Sequence, residues 1–283
     1  TNRPYIPGSS IKGSLRTAYL NRLAGMKKNV TSGAPTRRPG GRPNARALEQ
    51  ELLGGSFSTD PFRMLKVSDF HPVDGAKTRI VYGVNEKKTP SDKPARGPYQ
   101  ILEVVEPGTI FVGTIKIEKP DKETGIKNPI REETLLESCR DFYSSEIERE
   151  KRQLAAVGLV LGTPAMNPGG IPLRVGRHSG AESVTIEGHR NIRIMQGRGQ
   201  RPLLKDGAKT FWLAANRSKD YEKRNLLPFG WCLITVQVPE ARRGDLPGLQ
   251  GSEAREIAIS GKKRIAGGET EAGKPVDITG LQK

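Results

Sequence analysis

Apolar side chains at Ile11, Leu15, Ala18, Tyr19 and Leu23 recur at the spacing of one helix face, which predicts an amphipathic helix over residues 11–23. Ser9 or Ser10 is placed to cap it. From Met26 to about Leu48 the pattern dissolves into Pro, Gly and Arg (TRRPGGRPNARA), a composition that buries no core and predicts a loop or arm. Phe62 to Phe70 reads as a strand. The basic stretch Asn85–Pro98 fits neither period and precedes a predicted hairpin, Tyr99–Glu106 and Thr109–Glu118, turning at Pro107-Gly108. A helix is predicted over 128–160, with Pro129 near its start and Leu135, Cys139, Phe142, Ile147, Leu154 and Val157 toward the core. Its many Glu, Arg and Lys residues read most simply as a solvated face.

After Gly162 the chain turns to glycine-rich loops between short strands at Val184–Ile186, Thr210–Leu213 and Trp231–Val238. A domain boundary is expected there, giving units over 1–161 and 162–283. Beyond Arg242 the periodicity fades, apart from the short apolar Ile257–Ile259, and that tail is expected at the surface or disordered. Strands mixed with few helices, without βαβ alternation, predict an α+β fold with antiparallel sheets. The chain begins at Thr1, directly before a loop-to-helix motif, so further residues are expected upstream.

Charge narrows the function. The chain has 283 residues, with 47 Lys and Arg against 31 Asp and Glu, a formal charge of +16. That surplus points to a polyanion. No apolar run approaches the roughly 18 residues of a spanning helix, and no signal peptide is expected, so membrane association is not expected. Cys139 and Cys232 lack a partner motif and are expected as buried hydrophobes in a reducing cytoplasm.

Three segments carry candidate chemistry. In the first, Gly8 permits close backbone approach to a ligand, Ser9, Ser10 and Gly13 surround the helix start, and its N–H groups suit an anion. Lys12 and Arg16 stand four apart and can project from one face toward phosphates. An ordinary capped helix with solvated basic residues fits the spacing equally well. Lys12 precedes Gly13, so the segment is no Walker A loop, and no nucleotide cofactor is implied. The second segment, Arg174, Gly176, Arg177, His178, Ser179 and Gly180, gathers guanidinium forks and bare N–H groups that suit phosphate better than a core; a polar surface turn is the alternative, which the overall charge disfavours. The third, Gly197, Arg198, Gly199 and Arg201, continues to Lys205 and Lys209 at a spacing that could track a nucleic-acid backbone. Tyr5, Phe62, Phe70, Tyr99, Phe211 and Trp212 could stack on bases, though most are expected in the core, so backbone contacts should dominate.

The string PYIPGSSIKGSLRTA, Pro4 to Ala18, resembles the signature of the RAMP superfamily, CRISPR-associated proteins with ferredoxin-like (RRM-like) folds that hold crRNA in type III complexes. DPFRMLKVSD from Asp60, EPGT from Glu106, LRVGRHSG from Leu173 and LPFGW from Leu227 resemble, in the same order, segments of the fifth-subunit family of type III-A (Csm) complexes. The resemblance implies two ferredoxin-like domains with long insertions and a non-catalytic role in RNA binding at the crRNA 3′ end. The third segment is similar to the Gly-rich loop that RAMP proteins place beside RNA, with fewer glycines. Implied partners are crRNA, target RNA in the assembled complex, a neighbouring backbone RAMP subunit, a small helical Csm subunit, and nucleases recruited for 3′-end maturation.

Catalysis is the competing reading. His71, His178 and His189 are scattered, and no cluster of metal-ligand spacing appears, so no metal is expected. His178 could serve as a general base in metal-free RNA cleavage, and Asp69 is the best acidic candidate, although a turn or cap residue is simpler. In related backbone subunits, the resemblance implies, target cleavage depends on an Asp upstream of the PGSS motif, which here would precede Thr1. A backbone endoribonuclease and a crRNA-processing nuclease are therefore alternatives, and composition alone would fit a ribosome-type RNA-binding protein. The resemblance favours no enzyme.

Overall fold

The computed structural model describes residues 3–27, 30, 45–93, 95, 97–159, 170–196, 199–219, 222–237 and 254–260. Helix α1 runs Gly8–Met26, longer at both ends than its apolar spacing marks. Pro7 is its N-cap and no side chain caps it, so Ser9 and Ser10 lie inside the first turn. Ile11, Leu15 and Ala18 are fully buried, as the 3.6-residue period requires. Helix α2, Ala45–Leu53, begins within the expected loop and lays Leu48 and Leu52 against Leu20. Residues 31–44 of that loop lie outside the described residues. Helix α3, Glu132–Ala155, packs Leu135, Cys139, Phe142 and Ile147 into the same core as α1.

Both helices cover one face of an antiparallel sheet. Its order is β1 (Leu65–Val67), β5 (Phe111–Ile117), β12 (Ala254–Ser260), β11 (Trp231–Gln237) and β6 (Ile171–Arg174), with β2 (His71–Pro72) also on β5. Leu65, Phe111, Ile115, Leu173, Trp231 and Ile234 meet the helices in the largest cluster. A second antiparallel sheet orders β10 (Leu227–Pro228), β9 (Thr210–Ala215), β3 (Thr78–Lys87) and β4 (Gln100–Val105). One of its faces carries Val84, Leu213 and Ala215 against Leu154 of α3, and the other carries Val81, Val104, Ala214 and Phe229. β7 (Ile192–Ile194) and β8 (Leu203–Lys205) form a separate ribbon.

The α+β class with antiparallel sheets is as expected, but several elements differ. The strands expected to form one hairpin at Pro107-Gly108 do not pair: β4 pairs with β3 and β5 with β1, β2 and β12. Gly108, at φ 105°, lets the chain cross between sheets. Residues 62–70 are a 3-10 turn at Pro61–Arg63, the short β1, and Phe70 bridging Ile6. Glu182–Val184 is likewise a 3-10 turn, where a strand was expected to begin at Val184. Residues 254–260, expected at the surface or disordered apart from Ile257–Ile259, pair on both sides within the first sheet. Each large sheet takes strands from both sides of 161/162, since β5 joins β12 and β3 joins β9. Cys139 and Cys232 are both buried.

Candidate nucleic-acid interface

The start of α1 is built around a close approach of main chains. A Cβ on Gly8 would lie 2.5 Å from the carbonyl oxygens of Val67 and Ser68, so only glycine lets the helix sit on the end of β1. The Gly8 N–H donates to Asp69 Oδ1 at 2.7 Å, so a carboxylate of the chain itself holds an amide at the positive helix end. This is where the best acidic candidate is spent. Asp69→Ala is expected to lower stability by about 0.5–2 kcal/mol, as for loss of an N-cap, and Asp69→Asn by less because an acceptor remains; urea unfolding distinguishes them.

Lys12 and Arg16 point back into the protein. Lys12 Nζ donates to Leu65 O at 2.7 Å, and burial, with Lys66 nearby, holds its ammonium below the usual lysine range. Arg16 donates to Glu49 Oε2 at 2.6 Å and Asp60 Oδ2 at 2.8 Å, with its guanidinium 5.0 Å above the Phe62 ring. In this first segment Ser9 and Gly13 are exposed, Ser10 is half-buried and Gly8 is buried.

In the second segment Arg174 is 3% exposed and belongs to the core. Its Nη1 donates to Glu150 Oε1 at 2.8 Å, its Nε to Phe229 O at 3.0 Å, and its guanidinium lies 4.7 Å from the Trp231 ring. Trp231 Nε1 donates to Glu150 Oε2 at 2.6 Å, so both carboxylate oxygens are engaged. Ser14 Oγ of α1 donates to Arg174 O at 2.7 Å, joining the first and second segments. Past Arg174 the chain turns outward. Gly176, Arg177 and Gly180 are exposed, while Ser179 is buried and donates to Gly176 O at 2.9 Å.

His178 takes the left-handed conformation, φ 64°, and stacks on Trp212 with ring centroids 4.3 Å apart. Its Nε2 lies 3.0 Å from Gln100 Oε1. Burial, with the charge of Arg177, lowers its pKa to about 4, so the imidazole is neutral at pH 7 and brings no charge to a phosphate. Since the folded value lies below the ordinary 6.5, the unfolded chain binds the proton first as pH falls, and stability drops between pH 6.5 and about 4. The drop is expected to flatten in His178→Asn, which also tolerates positive φ; unfolding midpoints at several pH values read it.

The third segment is the open one. Gly199, at φ 79°, and Arg201, Lys205 and Lys209 are exposed, with Lys205 on β8 paired to Ile192 of β7. Gly197 and Arg198 lie outside the described residues. Behind them is a buried set of charges, part of it on the face of α3 expected to be solvated. Glu146 accepts from Arg190 Nη2 at 2.7 Å and from Arg149. Glu182 accepts from Lys88 and from Ala208 N at 2.9 Å, which anchors the turn leading to Lys209. Burial pushes the Glu182 carboxyl up, but Lys88 and Arg149 outweigh it and hold the group below the usual carboxylate range. Glu146 and Glu150 stand four apart on one face of α3, and Arg149 lies within one turn of Glu146, but Arg190 and Arg174 come from distant segments.

Of the predicted residues that the structure describes, Arg177, Arg201, Lys205 and Lys209 are thus the exposed cations, and Lys12, Arg16 and Arg174 are held by the protein's own acceptors. Among the described residues no group of three or more His, Cys, Asp or Glu could hold a metal ion, and no helix is long and apolar enough to cross a membrane.

The RAMP superfamily model matches residues 1–157, more than half of the chain. The chain belongs to the RAMP superfamily. Within the matched part of this RAMP protein lie the Gly8 seat, α1, the β3–β4 pair and α3; Arg177, the β7–β8 ribbon and Lys209 follow it. Similar solved structures include the following two. One, from a cryo-EM structure of a Csm–crRNA–target RNA ternary complex of a type III-A CRISPR–Cas system, is 20% identical with TM-score 0.48, covering 81% of this chain and 72% of that one. The other, Csm5 of T. onnurineus in a crystal structure, is 19% identical with TM-score 0.45, covering 65% and 64%. No curated protein sequence gives a significant match.

Proposed function

We propose that this RAMP protein is a non-catalytic crRNA-binding subunit that caps the 3′ end of a type III-A (Csm) ribonucleoprotein and supports its assembly, crRNA 3′-end maturation and antiviral defence. The observation that carries the reading is the family match, which begins on the PGSS helix and covers residues 1–157. The exposed cations Arg177, Arg201 and Lys209 near glycine-rich turns, with Lys205 on the β7–β8 ribbon, supply the phosphate contacts such a subunit needs. The ordered resemblance of four further segments to the fifth Csm subunit supports the 3′ position. In this reading the two sheets derive from two ferredoxin-like units, and the partners are crRNA, target RNA in the assembled complex, a backbone RAMP subunit and a small helical subunit.

The state of the candidate catalytic groups supports a binding role. Asp69 holds the Gly8 amide, and a His178 with pKa about 4 is a weak base for RNA cleavage at neutral pH. Incubating the purified chain with labelled RNA and Mg²⁺ tests this. Intact RNA is expected; cleavage would sink the cap reading in favour of a backbone-type endoribonuclease. In the same preparation, replacing Arg177, Arg201, Lys205 and Lys209 by Gln should weaken binding across sequences and reduce the salt slope by about 0.7 per lost phosphate contact. The matching Lys12→Ala and Arg16→Ala changes should act on stability instead.

A further inference from the structure

The segment joining β3 to β4 walls an open cleft of about 1050 Å³ that lies outside the three loops described above. The end of α3, at Ala156 and Val157, and residues 218, 219 and 223 form its other sides. Lys87, Lys93, Lys219 and Lys223 line it against Glu86 and Asp92, four cations to two carboxylates. None of the four lysines is in an ion pair among the described residues. Lys87 Nζ donates to Ser91 Oγ at 2.8 Å, a neutral partner that leaves its charge uncompensated. At the rim Tyr99 is 46% exposed, in perpendicular contact with Tyr82 at 5.4 Å.

The cleft adjoins both open loops. Lys88 N donates to Lys209 O at 3.0 Å, tying the root of its wall to the end of the glycine-rich segment. Gln100, next to Tyr99, is the residue that meets His178 Nε2. The wall is held at its base, because Lys88 pairs with the buried Glu182 and Lys87 sits in register with Thr210 of β9. A small-molecule pocket is enclosed and mostly apolar. An open cleft flanked by unpaired ammonium groups, with one aromatic ring at its edge, suits an extended polyanion that carries flat π faces.

We infer that this cleft binds a short single-stranded segment of RNA, with the backbone along Lys87, Lys93, Lys219 and Lys223 and one unpaired base against Tyr99. The inference rests on the RNA-binding reading and adds a subsite to it. Phosphate contacts by ammonium groups are point-charge contacts, so this subsite gives affinity without sequence choice, and Tyr99 accepts any base because every base has a π face.

The test is fluorescence anisotropy of the full chain with a labelled oligouridylate across a salt series, with circular dichroism melts to verify that each variant is folded. Joint replacement of the four lysines by Gln is expected to reduce the salt slope by about 3, at about 0.7 per contact. Tyr99→Ala is expected to weaken binding about 5- to 150-fold, the equivalent of about 1–3 kcal/mol per stacked base, with Tyr99→Phe near wild type. An unchanged slope in the quadruple variant, while the Arg177, Arg201, Lys205 and Lys209 variant loses affinity, overturns the cleft and leaves the RNA-binding reading standing. Failure of the wild-type chain to bind any RNA overturns both. Equal binding of polyglutamate, insensitive to Tyr99→Ala, would make the cleft a surface for acidic protein and overturn the RNA assignment.

Discussion

Glu150→Ala is expected to destabilise the fold by about 3–5 kcal/mol, the range for breaking a buried ion pair by removing one partner. The change strands Arg174, which is 3% exposed, and frees the Trp231 indole N–H that Glu150 now accepts. The loss comes chiefly from leaving a cation uncompensated in a low dielectric, so a second change that removes the cation, Arg174→Met, is expected to recover much of it. A double-mutant cycle in urea reads the coupling between them. If Glu150→Ala unfolds with the wild-type midpoint, the pair is not holding α3 to β6 and β11.

Gly8→Ala and Gly13→Ala should move stability in opposite directions, although both glycines belong to the same motif. At Gly8 the added methyl meets two main-chain carbonyls at 2.5 Å, which cannot rotate away as a side chain would. Helix α1 must lift from β1 and strain the Gly8 bond to Asp69, an overpacking cost of about 1–3 kcal/mol or more. At Gly13 nothing lies within 4 Å of the new methyl and the residue is in mid-helix, so alanine should stabilise by about 0.5–1 kcal/mol. Thermal melts of the two variants give the comparison. Equal effects of the same sign would contradict the seat described for Gly8.

What the sequence made legible follows from the range of the forces involved. Helices α1 and α3 announced themselves because their periodicity is local, and Leu135, Cys139 and Phe142 are buried where it places them. The Pro107-Gly108 turn was equally visible, but a turn signal says only that the chain reverses, and the two strands found partners in different sheets. Strand β12 was illegible for the opposite reason: the backbone pairing that seats it between β5 and β11 is supplied by segments far away in the chain.

The candidate site divides in the same way. Arg177, Arg201, Lys205 and Lys209 are exposed on glycine-rich or ribbon backbone, consistent with what a composition of basic and small residues implies. Arg174 stands three residues from Arg177 and cannot be told from it in sequence, yet Glu150, Phe229 and Trp231 make it a core residue. The carboxylates on α3 were read as solvated because a charge is assumed exposed until its partner is known. Beside the local Arg149, the partners Arg174 and Arg190 come from 24 and 44 residues away. The cleft beside β3 went unread because its lysines come from two separate stretches that only the pairing of β3 with β9 brings together.

The central claim, that this RAMP protein sits on the 3′ end of a crRNA, is tested most directly by photocrosslinking. The complex would be assembled on crRNAs carrying 4-thiouridine at single positions, irradiated, and the protein joined to each position identified by mass spectrometry. Crosslinks from the 3′-terminal nucleotides to this chain, at peptides containing Arg177 or residues 199–209, are the expected result. Crosslinks confined to the 5′ handle, or none to this chain at any position, would contradict it.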